Sequence, residues 1–315
     1  MASAVLNDAD APATITVNPL TINIGAEIGG VDLREPLSPQ TVTEIRAVLL
    51  RWKVIFFHDQ FIDHAQHLTF VKQFGEPTVG HAVFGHIDGY PEIYSVAKKR
   101  AANQFGAPKM VAPWTGWHAD ITSAINPPAM SILRGVTLPP YGGDTQWTDL
   151  GAAYRGLSET MRGFVDGLRG LHYTAAPAVE PGTKAYEDYM KRRKLVSEHP
   201  IVRVHPETGE RALYISPSYL KEIVGMTPRE GQQFLELLWE HAVRQEYTVR
   251  YRWKAGDIAF WDNRAVCHHA PTDIFDIEGD RQLYRITLVG DVPVGVDGTP
   301  SKPIEGDPIT AYAAE

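Results

Sequence analysis

Three possible transition-metal ligands stand side by side near the carboxyl end of the chain, in the stretch WDNRAVCHHA over 261–270. They are Cys267, His268 and His269, and Cys267 is the only cysteine in the sequence. Successive side chains of an extended strand point to opposite faces, so a strand here aims either His268 or its two neighbours at one metal. The other ligands of such a metal must come from elsewhere in the chain.

A histidine and an aspartate two residues apart can bind one metal together, because side chains at i and i+2 of a strand point the same way. Two such pairs occur among the 12 histidines, HID over 86–88 and HAD over 118–120. Glycines flank the first pair, which is typical of a turn. The second pair follows a long Gly- and Pro-rich region and precedes a predicted strand, so it is the better candidate. A surface histidine beside a turn aspartate is the alternative.

A histidine and a carboxylate from one hairpin, with a distant second histidine, form a facial metal site that leaves positions open for a 2-oxo acid and O2. The remote carboxylate of that 2-oxo acid needs a cation, and the planar fork of arginine suits it best. Arg281 and Arg285 follow His268 and share one face of a strand predicted over 281–289. Two inward arginines are unfavourable unless an anion meets them, and the alternative is that both face solvent.

The elements that must position these residues are strands with helices outside them. Strands are predicted over 54–57, 247–253, 258–261 and 284–290, and a strand–turn–strand over 21–33. Helices are predicted to begin at four capping residues, Ser38, Asp63, Ser158 and Thr227. The organisation predicted is a disordered tail over 1–14 and one β-rich domain over 15–315, with loop or insertion regions over 78–117 and 175–200.

Composition limits the partners and the compartment. The net charge of −8 argues against a non-specific nucleic-acid surface. A single cysteine forms no internal disulfide, and the first residues lack the basic and apolar regions of a secretory signal. There is no run of about 18 apolar residues, as a membrane helix needs. These features predict a soluble cytoplasmic protein that binds neither nucleic acid nor membranes.

Four motifs follow one another in the order WHAD (117–120), GGDT (142–145), WDNRAVCHH (261–269) and R-x-x-x-R (281–285). In this order the chain resembles the taurine dioxygenase family of iron(II)- and 2-oxoglutarate-dependent oxygenases, over nearly its whole length. The resemblance implies a β-rich α+β fold with a double-stranded β-helix (jelly roll) core flanked by helices. It also implies that O2 and 2-oxoglutarate are consumed, that succinate and CO2 are released, and that a small anionic substrate is hydroxylated.

The resemblance implies a role for each motif residue. His118, Asp120 and His268 would be the catalytic iron ligands. Thr145 and Arg281 would hold the C5 carboxylate of 2-oxoglutarate, and Arg285 would lie beside its C1 carboxylate and the anionic end of the substrate. Trp261 would pack on the strand that leads to His268, leaving Cys267 and His269 outside the site.

The substrate pocket is where the chain departs from taurine-cleaving members. His81 matches the loop histidine that binds the sulfonate there, but Phe84 lacks the hydroxyl of the corresponding tyrosine. Trp114 stands where those members hold the amine with an asparagine, and an indole cannot accept a hydrogen bond from an ammonium. Trp114, Trp117 and Phe84 predict a more apolar pocket, and Ile121 is a further predicted substrate-binding residue. The segment 198–214 is similar to the alkyl-sulfate-cleaving branch.

The predicted substrate is therefore a small aliphatic sulfonate or alkyl sulfate ester, with a carboxylate, an amino acid or a specialised metabolite as the alternative for the same chemistry. Two other classes compete with an oxygenase. A zinc hydrolase could use the same three ligands, although it needs no tethered co-substrate for Arg281 and Arg285 to hold. A non-catalytic β-barrel protein that binds a small molecule is the other. The chain is expected to form a homo-oligomer, a dimer or a tetramer.

Overall fold

A seven-stranded sheet forms one layer of the protein. The structure is a computed structural model that describes residues 13–80, 85–98, 112–173, 195–276 and 278–313. Its strands, in spatial order, are β1 (Thr16–Pro19), β2 (Ala26–Gly29), β3 (Val54–Phe57), β13 (Ile258–Asp262), β5 (Met130–Thr137), β15 (Gln282–Leu288) and β4 (Tyr94–Ala97). Neighbouring strands are antiparallel except β2 and β3.

A three-stranded antiparallel sheet faces the first layer. Its strands, in spatial order, are β12 (Thr248–Tyr251), β6 (Thr145–Asp149) and β14 (Val266–His269). Alternate residues of both sheets point into the space between them, where Leu133, Trp147, Trp261 and Leu283 belong to one buried cluster. The predicted β-rich α+β fold with a jelly-roll core is confirmed. Within the described ranges, the two sheets do not join into a closed barrel.

Helices cover the outer faces of both sheets. On the seven-stranded sheet lie α1 (Pro39–Trp52) and α2 (His64–Lys72), whose apolar residues pack on those of β5, β13 and β15. Over the smaller sheet lie α3 (Leu150–Arg155), α4 (Glu159–Val165) and α5 (Pro228–Ala242). The predicted capping residues Ser38, Asp63, Ser158 and Thr227 all accept a backbone N–H of the first turn, which confirms these helix starts. None of the helices described has the length and apolar character that crossing a bilayer requires.

Two small sheets complete the fold, and one of them supports the turn that follows the HAD motif. One contains, in spatial order, β11 (Leu220–Ile223), β7 (Arg169–Tyr173), β8 (Val196–Pro200) and β17 (Lys302–Glu305), and the other β10 (Arg211–Leu213), β9 (Val202–Val204) and β16 (Val294–Gly295). Ser197 donates its hydroxyl to the carbonyl of Ser123 at 2.9 Å. His199 Nε2 lies 2.9 Å from the carbonyl oxygen of Thr122 and 3.1 Å from that of Ala124. The turn after HAD is thus held by β8.

Three predicted segments are corrected. The loop over 78–117 contains β4, an edge strand whose residues are all half-buried and so lack the alternation that marks a strand. The insertion over 175–200 ends in β8, where polar residues are buried because they have partners, while 174–194 lies outside the described residues. The strand–turn–strand over 21–33 begins earlier, at Thr16. Of the predicted tail, residues 1–12 also lie outside the described part.

His67 on α2 should make the fold sensitive to acid. It is fully buried, and neither ring nitrogen has a hydrogen-bond partner among the described residues. Burial, with Arg134 nearby, holds its pKa well below the usual value, so only the unfolded chain takes up this proton near pH 6.5. The free energy of unfolding therefore does not depend on His67 titration above about pH 6.5. Below that pH it falls, through His67, by up to about 1.4 kcal/mol per pH unit.

His67→Leu should raise the free energy of unfolding by about 1–3 kcal/mol near neutral pH, because it removes an unpaired buried polar ring. The gain should be larger at about pH 5.5 than at about pH 7.5. Urea unfolding at both pH values measures it. Phe70→Leu in the same helix removes no titrating group and should shift stability equally at both. A gain for His67→Leu that is the same at both pH values would contradict this account.

Candidate active site

Two antiparallel segments bring the HAD motif and His268 together. The amide of His118 donates to the carbonyl of His268 at 2.9 Å, and the reciprocal bond measures 2.7 Å. Their ring centroids lie 4.2 Å apart, and His268 Nε2 lies 4.0 Å from Asp120 Oδ1. Each of the three side chains offers a ligand atom within 4.8 Å of the others, and no other such group occurs in the described part of the chain. Three residues predicted from two separate motifs thus meet.

The ring nitrogens of both histidines are arranged to receive a metal. His118 Nδ1 lies 2.9 Å from the carbonyl oxygen of Gly116, which can only accept, so Nδ1 carries the proton and Nε2 keeps its lone pair. His268 Nδ1 is buried and has no partner within the described ranges. Burial lowers the pKa of both imidazoles, that of His268 strongly, which keeps them neutral as metal binding requires.

Asp120 is buried and carries its charge. Burial alone would raise the pKa of its carboxyl, but the guanidinium of Arg285, the two neighbouring imidazoles and the Ser131 hydroxyl together outweigh burial and hold the pKa far below the usual range. Arg285 Nη1 lies 2.5 Å from Asp120 Oδ1, and the Ser131 hydroxyl donates to Oδ2 at 2.6 Å. A carboxylate and two neutral imidazoles on one side match the donor set of a 2-His-1-carboxylate iron site.

The alternation of β14 separates the three adjacent ligands of the sequence. Cys267 packs in the helix cluster behind the strand, where burial raises the pKa of its thiol. The ring of His269 lies 5.6 Å from that of Trp117 on the same side. His268 points the other way, with its ring 4.8 Å from Trp261. This confirms that an extended strand cannot direct all three side chains to one metal.

A buried cationic side chain lies along the same interior. Arg281 is 6% exposed, and the only hydrogen-bond acceptors of its guanidinium among the described residues are the carbonyl of Gly143 at 3.0 Å and Thr145 Oγ1 at 3.4 Å. Burial lowers the pKa of Arg281 to about 10, and no carboxylate of the described residues forms an ion pair with its guanidinium. Trp147 pairs with His268 across β6 and β14, so the two side chains lie on the same face of the sheet, and Thr145 shares that face. Both predicted arginines therefore face inward.

The other predicted substrate residues divide into two groups. His81 and Phe84 lie outside the described residues. Trp114 packs on the helix side of β14, with its ring 6.1 Å from that of Trp239. Ile121 directly follows Asp120 and has φ of 45°, a left-handed conformation that is strained for a β-branched residue. The role of all four in substrate binding stays a prediction.

Three residues whose side chains hydrogen-bond to the candidate site were not predicted from the sequence. Ser131 is a polar residue in the apolar run of β5, and Asn263 lies inside the WDN motif that was used only to locate His268. Trp253 donates its indole N–H to Thr145 Oγ1 at 2.9 Å. An isolated polar residue in an apolar strand is a signal that could have indicated Ser131. No local pattern indicates Trp253.

Trp253 should tune the affinity for the 2-oxo acid. Because Thr145 Oγ1 accepts from both Trp253 and Arg281, its own proton is free to donate to an anion. Trp253→Phe should therefore raise the dissociation constant for 2-oxoglutarate about 5- to 10-fold, the effect of losing one hydrogen bond. Calorimetric titration of the metal-loaded protein measures it. Trp239→Phe is the control, because that indole N–H has no partner in the described residues; an equal loss in both variants would exclude a specific role.

Known proteins align with most of the chain. Residues 16–287 match the family model of taurine catabolism dioxygenase TauD, TfdA family. An alpha-ketoglutarate-dependent sulfate ester dioxygenase of Pseudomonas putida is 38% identical over 312 residues, covering 96% of this chain and 98% of that protein. An alkylsulfatase of Acinetobacter baylyi is 34% identical over 291 residues, covering 90% and 87%. The crystal structure of a taurine dioxygenase from Burkholderia xenovorans is 59% identical with a TM-score of 0.83, covering 94% and 96%.

This fold and this candidate metal site define a class of enzymes, the oxygenases that couple substrate oxidation to the oxidation of 2-oxoglutarate. The family model covers most of the chain, and full-length relatives exceed 30% identity, so the chain belongs to the taurine catabolism dioxygenase TauD, TfdA family. It is a 2-oxoglutarate-dependent dioxygenase that uses iron(II) and O2. This family membership rules out the two alternative classes, a zinc hydrolase and a non-catalytic binding protein.

Proposed function

We propose that this dioxygenase hydroxylates a small aliphatic sulfate ester or sulfonate, with His118, Asp120 and His268 as its iron ligands. The observation that carries the proposal is the pair of inward-facing arginines in and just before β15, Arg285 against Asp120 and Arg281 against Thr145. Two cationic groups, one beside the ligands and one further along the interior, match a co-substrate with a carboxylate at each end. Bound iron(II) would supply the coordination and reduction of O2.

Each residue then has a defined task. Arg281 and the Thr145 hydroxyl bind the C5 carboxylate of 2-oxoglutarate. Arg285 is the cation for the C1 carboxylate and for the anionic end of the substrate, since its buried Nε has no partner among the residues described. Trp147 and Trp261 line the interior and exclude water from the reacting groups. The chain contributes positioning and electrostatics, and the chemistry is that of the cofactors.

The substrate class follows from the relatives and from the predicted pocket together. Two full-length relatives bear names that specify sulfate esters or alkyl sulfates, and the structural neighbour is described as a taurine dioxygenase. Trp114, Phe84 and Ile121 offer no group that would accept a hydrogen bond from an amine. This favours alkyl sulfates over taurine. Hydroxylation of the carbon that bears the sulfate oxygen gives an adduct that collapses to an aldehyde and releases sulfate.

A substrate panel tests the proposal. Under anaerobic conditions, iron(II) followed by 2-oxoglutarate should give a weak visible charge-transfer band. In air, alkyl sulfates should give succinate and inorganic sulfate in equal amounts, and taurine should give far less succinate. Succinate formation with carboxylates or amino acids, and not with any sulfur compound, would support the alternative substrates. Absence of both the band and succinate with all substrates would disprove the assigned site.

The cytoplasmic location and the homo-oligomeric state remain part of the proposal. A small anionic substrate free in solution is consistent with a cytoplasmic enzyme that needs 2-oxoglutarate. Light scattering on the purified chain should give the mass of a dimer or a tetramer, and a monomer at micromolar concentration would contradict it. Cell fractionation tests the location.

A further inference from the structure

A chain of buried side chains runs from Trp261 to the second oxygen of Asp120. The indole Nε1 of Trp261 lies 3.0 Å from Asn263 Oδ1, and Asn263 Nδ2 lies 2.7 Å from Ser131 Oγ. Ser131 Oγ lies 2.6 Å from Asp120 Oδ2. All four residues are at most 2% exposed. Neither the motifs nor the family names assign a role to Ser131 or Asn263.

The direction of every hydrogen bond in this chain is fixed by chemistry. An indole N–H can only donate, so the atom facing it is the amide oxygen of Asn263, and the amide nitrogen must face Ser131. That nitrogen can only donate, so the hydroxyl proton of Ser131 is left for Asp120. Asp120, ionised beside Arg285, can only accept. The series therefore has one proton arrangement, which runs towards the carboxylate.

The consequence is a difference between the two carboxylate oxygens. Oδ2 accepts the Ser131 hydroxyl, whereas Oδ1 lies 2.5 Å from Arg285 Nη1 and faces His268 Nε2 at 4.0 Å. We infer that Trp261, Asn263 and Ser131 form a relay that fixes the rotation of the Asp120 carboxylate, so that Oδ1 and not Oδ2 lies on the side of the two histidines, where a metal would bind. A carboxylate that binds through one oxygen would take up one coordination position, which would leave more of them for a bidentate 2-oxo acid and O2. These are positioning residues, and the inference rests on the proposed metal site.

Metal binding tests the relay without any turnover. The full chain is titrated anaerobically with iron(II) and with Co(II), and the visible absorption of bound Co(II) reports its coordination. Ser131→Ala should weaken metal binding about 10- to 100-fold, as loss of an outer-shell partner does, and should change the Co(II) spectrum. Ser131→Thr keeps the hydroxyl and should retain both the metal affinity and the Co(II) spectrum of the unmodified protein. Asn263→Ala, one step further from the metal, should show a smaller shift of the same kind, and it serves if Ser131→Ala does not fold.

A matched control separates the relay from general packing. Thr148 is also a buried strand residue whose hydroxyl donates, in this case to the carbonyl of Ala242 on α5. Thr148→Val should leave the metal affinity and the Co(II) spectrum unchanged. Wild-type affinity and an unaltered spectrum in folded Ser131→Ala would overturn the relay while leaving the proposed function intact. Failure of the unmodified protein to bind either metal would instead overturn the proposed site.

Discussion

The His268→Ala variant should bind no iron(II) and release no succinate, whereas His269→Ala should retain both. Loss of an outer-shell partner lowers metal affinity or activity about 10- to 100-fold, so loss of a ligand itself should exceed 100-fold. His268 is one of the three side chains whose donor atoms meet within 4.8 Å. His269 lies on the opposite face of β14, against Trp117. Its removal should lower stability and leave the metal site in place.

Two measurements are needed on both variants. Anaerobic titration with iron(II) gives the metal affinity, and succinate formation in air gives the activity. Circular dichroism establishes that each variant is folded, which matters because both histidines are buried. An active His268→Ala together with an inactive His269→Ala would reverse the assignment. A loss of metal in both variants, with both folded, would show that β14 is not extended as described.

The three proposed iron ligands were predictable because the information is local. HAD is a pair at i and i+2, and the alternation of a strand separates His268 from its neighbours. What the sequence does not contain is the position of β13 between β3 and β5, two strands that come from distant parts of the chain. Ser131 and Asn263 meet only because β13 lies beside β5. Their hydrogen bond joins residues 132 apart, and no local pattern predicts it.

Electrostatic partners show the same limit. The sequence predicts that Arg281 and Arg285 face inward and require anions. The structure confirms that both face inward, with Arg281 buried and the Arg285 side chain 11% exposed. The sequence does not predict that Arg285 contacts the ligand Asp120, because that contact depends on how β15 and the HAD segment are arranged in three dimensions. The edge strand β4 is missed for a related reason. Its partner β15 is far along the chain, and its own residues are uniformly half-buried.

Arg281→Met should separate the co-substrate from the metal. Arg281 has no contact with the three ligands, so iron(II) affinity should be unchanged. Loss of one member of a buried charge pair costs about 3–4 kcal/mol, which corresponds to a dissociation constant for 2-oxoglutarate raised roughly 100- to 1000-fold. Calorimetric titration of the metal-loaded protein measures this. Arg252→Met removes an exposed arginine of the same region and is the control, with near-normal affinity expected.

The same variant should be more stable than the unmodified protein when no co-substrate is present. A buried guanidinium without a carboxylate partner in the described residues is unfavourable, and burial already lowers the pKa of Arg281 to about 10. Methionine removes that charge and keeps an unbranched side chain, so the free energy of unfolding should rise by about 1–3 kcal/mol. Addition of 2-oxoglutarate should then stabilise the unmodified protein and have little effect on the variant. If Arg281→Met binds 2-oxoglutarate normally, or loses iron, Arg281 does not hold the co-substrate. Stabilisation without the co-substrate together with weak binding would mean that the protein maintains an unfavourable buried charge for the sake of an anion it has yet to bind.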